Sequence, residues 1–236
     1  MPALLQNDVP LNSHDFPKLF VNDGSLRSDE FGLLPSFDPQ NTSMEEMRRA
    51  FTEDGYLFLK GLIPREEVLE ARKRYFEHLS PSGLLKPGTK PVEGVFDPAC
   101  TPLDYPGIGT GSEGTDTAAS VKFQELALSA HGESWYKDVF CKSPTLLKFV
   151  ANFTGWDDST MAVERTLLRN NIPKNHAIGV HYDYIFLRHG DDSVLTTWVP
   201  MGDVKVDGGG LIYLEKGSSF LVPRADFFVF SHNVRV

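Results

Sequence analysis

From Ser43 onward the apolar positions of this chain recur at helical spacing. In "SMEEMRRAFTEDG" Met44, Met47 and Phe51 fall on one face, Ser43 and Glu46 have the spacing of a capping box, and Gly55 ends the run. This pattern predicts a helix over 43–55. "YLFLKG" then reads as a short strand, and "IPREEVLEARKRYFEHL" as a second helix begun by Pro64, with Val68, Leu69, Arg72, Tyr75, Phe76 and Leu79 in helical register. Residues 80 to about 118 are rich in Gly and Pro and predict a long loop, either a lid or a plain surface excursion. "SPTLLKFVANFTGW" predicts a further helix, with Ser143 as N-cap, Pro144 in its first turn and Gly155 at its exit.

Beyond that helix the period changes. "TMAVERTLLR", "AIGVHYDYIFLR", "SVLTTWVPM", "GLIYLE", "SFLV" and "DFFVF" are short, rich in β-branched and aromatic residues, and separated by turn chemistry such as Asp191-Asp192 and Gly208-Gly209-Gly210. Helices first and strands second predict an α+β chain whose C-terminal half is a sandwich or jelly roll. Residues 1–42, rich in Pro, Asn, Asp and Ser and without periodicity, form an extended arm in this reading.

Composition narrows the partners. With 236 residues and a formal charge of −9, the chain is large enough for a substantial core and lacks the clustered cations that phosphate backbones require. Nucleic acid is therefore not an expected partner, and small molecules are. Cys100 and Cys141 show neither CxxC spacing nor a disulfide framework. "MPALLQNDVPLNSHDFPKLF" has no basic n-region followed by an apolar stretch, and no run reaches the ~18 apolar residues of a membrane span. The expectation is a cytoplasmic protein without membrane contact.

The candidate chemistry lies in "HYDY". Residues two apart in a strand share a face, so His181 and Asp183 present an imidazole and a carboxylate side by side while Tyr182 faces away. A nitrogen donor with a hard carboxylate suits Fe(II) or Mn(II), and two histidines with one carboxylate is the facial ligand set of non-heme iron oxygenases. The triplet alone is weak evidence, since a strand histidine is more often packed or solvated.

Two longer blocks add to it. "FTEDGYLFLKGLIPREEVLEARKRYF" resembles the N-terminal signature of the phytanoyl-CoA dioxygenase family, in which a helix, the phrase D-G-Y, a strand and a second helix precede the catalytic barrel. "HYDYIFLRHGDDSVLTTWVPMGDVKVDGGGLIYLEKGS" resembles that family's HxD strand, its T-x-W-[VI]-P strand, its D-V turn and its glycine-rich hairpin. The resemblance runs in order over roughly residues 44–218. It implies N-terminal helices (43–158) packed on a double-stranded β-helix, a jelly-roll form (159–236), with Fe(II) and 2-oxoglutarate as cofactors. It also implies that His181 and Asp183 are catalytic iron ligands in an oxidoreductase, a dioxygenase that hydroxylates or otherwise oxidises a small organic substrate with O₂.

After Gly217 the sequence departs from the family pattern, which carries a second histidine on a late strand and a 2-oxoglutarate arginine on the next. The jelly roll expected here lacks its last strand. His232, at the end of "ADFFVFSH", is the nominated third metal ligand, and Arg235 and Trp198 are the nominated cofactor-binding residues. Arg235 lies three residues past His232, whereas a strand needs ~5–6 residues, so a solvated surface charge competes with the cofactor role. Tyr184, Trp198 and Tyr213 sit at positions that line a barrel cavity or its core. Arg169, Asn170 and Asn171 read as a turn or as hydrogen-bonding partners of 2-oxoglutarate or substrate, and His131 and His176 as exposed loop residues. The competing function is a truncated or diverged non-catalytic jelly-roll relative that binds ligand or metal without turnover.

Overall fold

Local capping signals in the sequence become the ends of the first helices. The computed structural model describes residues 18–21, 24–27, 31–107, 114–164, 166–170, 181, 194–204 and 210–213. A hairpin near the start pairs β1 (Phe20–Val21) with β2 (Gly24–Ser25). α1 (Met44–Asp54) starts where the Ser43 hydroxyl accepts the Glu46 N–H at 3.2 Å, which is the Ser43 half of the expected capping box. It stops at Gly55, whose φ of 80° is left-handed and whose N–H reaches the Phe51 carbonyl at 2.8 Å. The expected strand follows as β4 (Phe58–Leu59), which pairs in parallel with β3 (Ser36–Phe37) of the arm. Both β4 residues are buried, and Phe37 packs against the same core.

α2 (Arg65–Leu79) begins one residue later than Pro64, which takes the cap position and offers its carbonyl to the Glu67 and Val68 N–H groups. It buries Val68, Ala71, Tyr75 and Leu79, while Leu69 turns outward. The Gly/Pro-rich stretch that follows is anchored over its described residues. Leu84 and Tyr105 are buried, Lys86 and Asp97 bond across to Val95 and Leu84, and the Tyr105 hydroxyl donates to the Ser82 carbonyl at 3.2 Å. The Tyr105 ring then meets Phe123 edge-on at 5.4 Å. It is a packed excursion across residues 80–107, not a free flap.

α3 (Ala118–Ser129) and the π-helical run Trp135–Phe140 complete the layer, followed by α4 (Pro144–Thr154). The sequence pattern does not mark α3, because its residues are distributed against type: Ser120 is fully buried while Val121 and Leu128 are exposed. Ser143 does precede α4, yet its hydroxyl donates to Glu67 of α2 at 3.0 Å and makes no cap bond. The far end of α4 is closed from α1, where Arg48 donates from Nε to the Phe153 carbonyl at 2.8 Å and from Nη2 to that of Asn152. A cation at a helix C-terminus also complements the partial negative charge there.

The helical layer is joined to the later part of the chain by Arg72, the one charged residue in the helical register predicted for α2. Its guanidinium donates to the carbonyls of Val92 (2.6 Å), Glu93 (2.7 Å) and Met201 (2.9 Å) and lies over the Phe76 ring at 5.1 Å. Burial lowers its pKa, and the charge of Asp203 opposes that shift. Two glycines make room for it. A Cβ on Gly94, which has a left-handed φ of 58°, would collide with the Phe76 ring and Arg72, and a Cβ on Gly202 would collide with Nη1 of Arg72.

The described residues thus have α+β character, with one helical layer and short strands. Most positions of the predicted β-rich half lie outside them. Among the described residues no helix is long and apolar enough to cross a membrane.

The fit around Arg72 makes a direct prediction. Gly202→Ala should lose ~1–3 kcal/mol from overpacking, and Gly94→Ala a further ~1–2 kcal/mol from left-handed strain. Gly132→Ala, where an added Cβ meets nothing within 4 Å, should stay within ~0.5 kcal/mol of wild type. Urea denaturation of the three variants tests this; equal stabilities would show that the packing around Arg72 is loose.

Candidate functional site

The segment that leads toward the HxD motif is fastened to the helical layer by polar contacts. The Leu168 N–H donates to Nε2 of His131 at 3.0 Å, and Nδ1 of the same ring lies 3.2 Å from the carbonyls of Ala127 and Leu128. Those carbonyls accept only, so Nδ1 carries the proton and Nε2 is the acceptor. His131 is therefore a half-buried bridge from the end of α3 to residue 168, not the exposed loop residue expected from the sequence. Leu168 itself is buried, and the Tyr136 hydroxyl bonds to Thr166. His78 makes a similar tie between α2 and α3, with Nε2 2.9 Å from the Leu126 carbonyl and 3.0 Å from Oγ of Ser129.

Two residues further on, Asn170 meets α2. The Tyr75 hydroxyl donates to Oδ1 of Asn170 at 2.8 Å. Burial raises the Tyr75 pKa well above that of a free phenol, with the Asn170 bond opposing it, so the phenol keeps its proton and acts as donor. The amide oxygen faces Tyr75 and its nitrogen faces away; the reverse orientation would leave the phenolic proton without an acceptor among the described residues. Nδ2 of Asn170 is buried with no acceptor among the described residues. A buried amide donor left in that state costs ~1–3 kcal/mol, and an acceptor oxygen beside it recovers that energy. The sequence places Asn170 in a turn-like polar run; its bond to Tyr75 spans 95 positions and left no local signal.

The segment after the motif rests on the same layer. Leu195, Val199 and Met201 pack against the helical core, and Pro200 is buried. Trp198 falls in the intervening register and is half-buried. Tyr213 stacks on Tyr56 with ring centroids 4.9 Å apart, which gives this aromatic a packing role.

Of the nominated metal ligands His181 is described, and it is exposed. Asp183, His232 and Arg235 lie outside the described residues, as do Tyr184, Asn171 and His176, so the nominated ligand set is not brought together among the described residues. Among the described residues no group of three His, Cys, Asp or Glu side chains is placed to hold a metal ion. A cleft of about 200 Å³ lies elsewhere, bounded by Arg65, Leu69, Arg72, Met201 and Asp203. Its central guanidinium is already engaged by three backbone carbonyls. No family model, curated protein or solved structure matches this chain.

Removing the His131 ring should expose the weakness of the 166–170 segment. His131→Ala leaves the Leu168 N–H without its acceptor, and a loss of ~1–3 kcal/mol in urea denaturation is expected. A change under ~0.5 kcal/mol would mean that the bridge does not hold the segment.

Proposed function

We propose that this chain is an Fe(II)- and 2-oxoglutarate-dependent dioxygenase that oxidises a small organic substrate. One observation carries the reading: the block from Ser43 to Leu79 folds as a helix, a left-handed Gly55, a short strand and a second helix. That is the order which the resemblance to the phytanoyl-CoA dioxygenase family implies upstream of an HxD strand, and "HYDY" follows in the sequence at the implied place. The orphaned amide of Asn170 adds support, because a buried N–H donor suits the carboxylate or carbonyl oxygen of an organic acid.

In this reading the imidazole of His181 and the carboxylate of Asp183 hold the metal, with His232 as third ligand; this mixed nitrogen and oxygen set suits Fe(II). When bound, Fe(II) and 2-oxoglutarate would supply O₂ activation, one oxygen atom going to succinate formed with CO₂ from the co-substrate and the other to the oxidised substrate. The protein's part is to hold and orient. Asn170 would donate to an oxygen of the co-substrate, with Trp198 and Arg235 as the further candidate contacts, Arg235 for its distal carboxylate. The jelly-roll architecture, the absence of a nucleic-acid partner and the cytoplasmic setting belong to the same proposal.

A second reading keeps the fold and removes turnover: a diverged relative that binds ligand or metal without catalysis. The exposure of His181 and the departure from the family pattern after Gly217 favour it. Anaerobic titration with Fe(II) and then 2-oxoglutarate separates the two. The dioxygenase should develop the weak visible charge-transfer band of a chelated complex and, on admission of O₂, release succinate in step with 2-oxoglutarate consumed. A band without succinate supports the non-catalytic relative, and the lack of both removes the dioxygenase.

A further inference from the structure

We infer that Tyr75 is a positioning residue for the co-substrate, acting through Asn170. The inference rests on the dioxygenase reading and extends it to a residue in the helical layer that touches neither metal nor substrate.

Asn170 has an amide whose two ends are chemically opposite, and a free side chain would sample both orientations. Tyr75 removes that freedom. Its ring is 4% exposed and packed against Phe76 and Trp135, with centroids 5.7 and 6.2 Å away, so its hydroxyl has little room to move. The hydroxyl donates to Oδ1 of Asn170; with the amide turned over it would only accept from the N–H₂, and its own proton would be left without an acceptor among the described residues. The nitrogen is thereby committed to the side away from α2, where it is buried and has no acceptor among the described residues. A donor held in one direction costs little to organise when an anion arrives, and this is how a rigid supporting contact raises affinity. The backbone is held too: two residues earlier, the Leu168 N–H is bonded to His131. Side chain and main chain of this segment are both fixed from the helical layer.

The acceptor that fits is a carboxylate or α-keto oxygen of 2-oxoglutarate, since a charge-assisted bond to a buried amide donor gains most from desolvation. Tyr75→Phe removes one oxygen and leaves the ring in place. With full-length protein and anaerobic Fe(II), the dissociation constant of 2-oxoglutarate should rise about tenfold in this variant, while Fe(II) affinity stays near wild type and the melting temperature falls only by the cost of one lost buried hydrogen bond. Asn170→Ala should weaken 2-oxoglutarate at least as much, and the double variant no more than Asn170→Ala alone, because Tyr75 acts only through the amide. A merely structural tyrosine would leave the co-substrate constant unchanged. Unaltered 2-oxoglutarate affinity in Tyr75→Phe, or independent effects that multiply in the double variant, would overturn the inference. Wild-type protein that forms no complex with Fe(II) and 2-oxoglutarate would remove the dioxygenase reading and this inference with it, whereas a wild-type complex unaffected by Tyr75→Phe would remove the inference alone.

Discussion

The guanidinium of Arg72, held by the carbonyls of Val92, Glu93 and Met201, links three parts of the chain by directional hydrogen bonds. Arginine is suited to the task because its planar fork offers several donors in fixed directions, and three backbone acceptors from two separate segments can be matched at once. The surroundings are built for it. Phe76 supplies a face to lie on, and Gly94 and Gly202 supply the space that a side chain would have filled. Lysine at this position would keep the charge and lose the fork. The segment from 194 to 201 therefore sits on the helical layer by apolar contact from Leu195 and Val199 and by a directional tie at its end.

Further polar contacts do the same for the segment that precedes the HxD motif. His131 accepts a backbone N–H from Leu168, Tyr136 bonds to Thr166, and Tyr75 grips the Asn170 side chain. The helical layer orients the stretches on either side of residues 171–193, in which the proposed ligands His181 and Asp183 lie. A rigid support outside the chemistry is what a site needs if its ligands and cofactor contacts are to stay within a fraction of an ångström of working geometry.

What was legible in the sequence was local. Ser43, Gly55 and Gly155 act within one helical turn, so their spacing alone marks the ends of α1 and α4. α3 escaped because Val121 and Leu128 face water while Ser120 is buried, which erases the amphipathic rhythm. The loop after α2 read as a candidate lid because composition reports Gly and Pro and not the burial of Tyr105 and Leu84. Arg72 appeared only as a member of a helical register, since its acceptors lie 20, 21 and 129 positions away. The site divides in the same manner. HxD is visible because a spacing of two residues is local, whereas the Tyr75 and Asn170 pair joins residues 95 apart and needed the fold to bring it together.

In the proposed function the imidazole of His181 and the carboxylate of Asp183 bind one divalent ion together. Mn(II) tests it without redox chemistry, because free aqueous Mn(II) has a sharp electron paramagnetic resonance signal that broadens when the ion is bound. Wild-type protein should take up Mn(II) with a 1:1 endpoint, and His181→Ala and Asp183→Ala should each abolish that uptake while melting near the wild-type temperature. Undiminished Mn(II) binding in either variant would contradict the account.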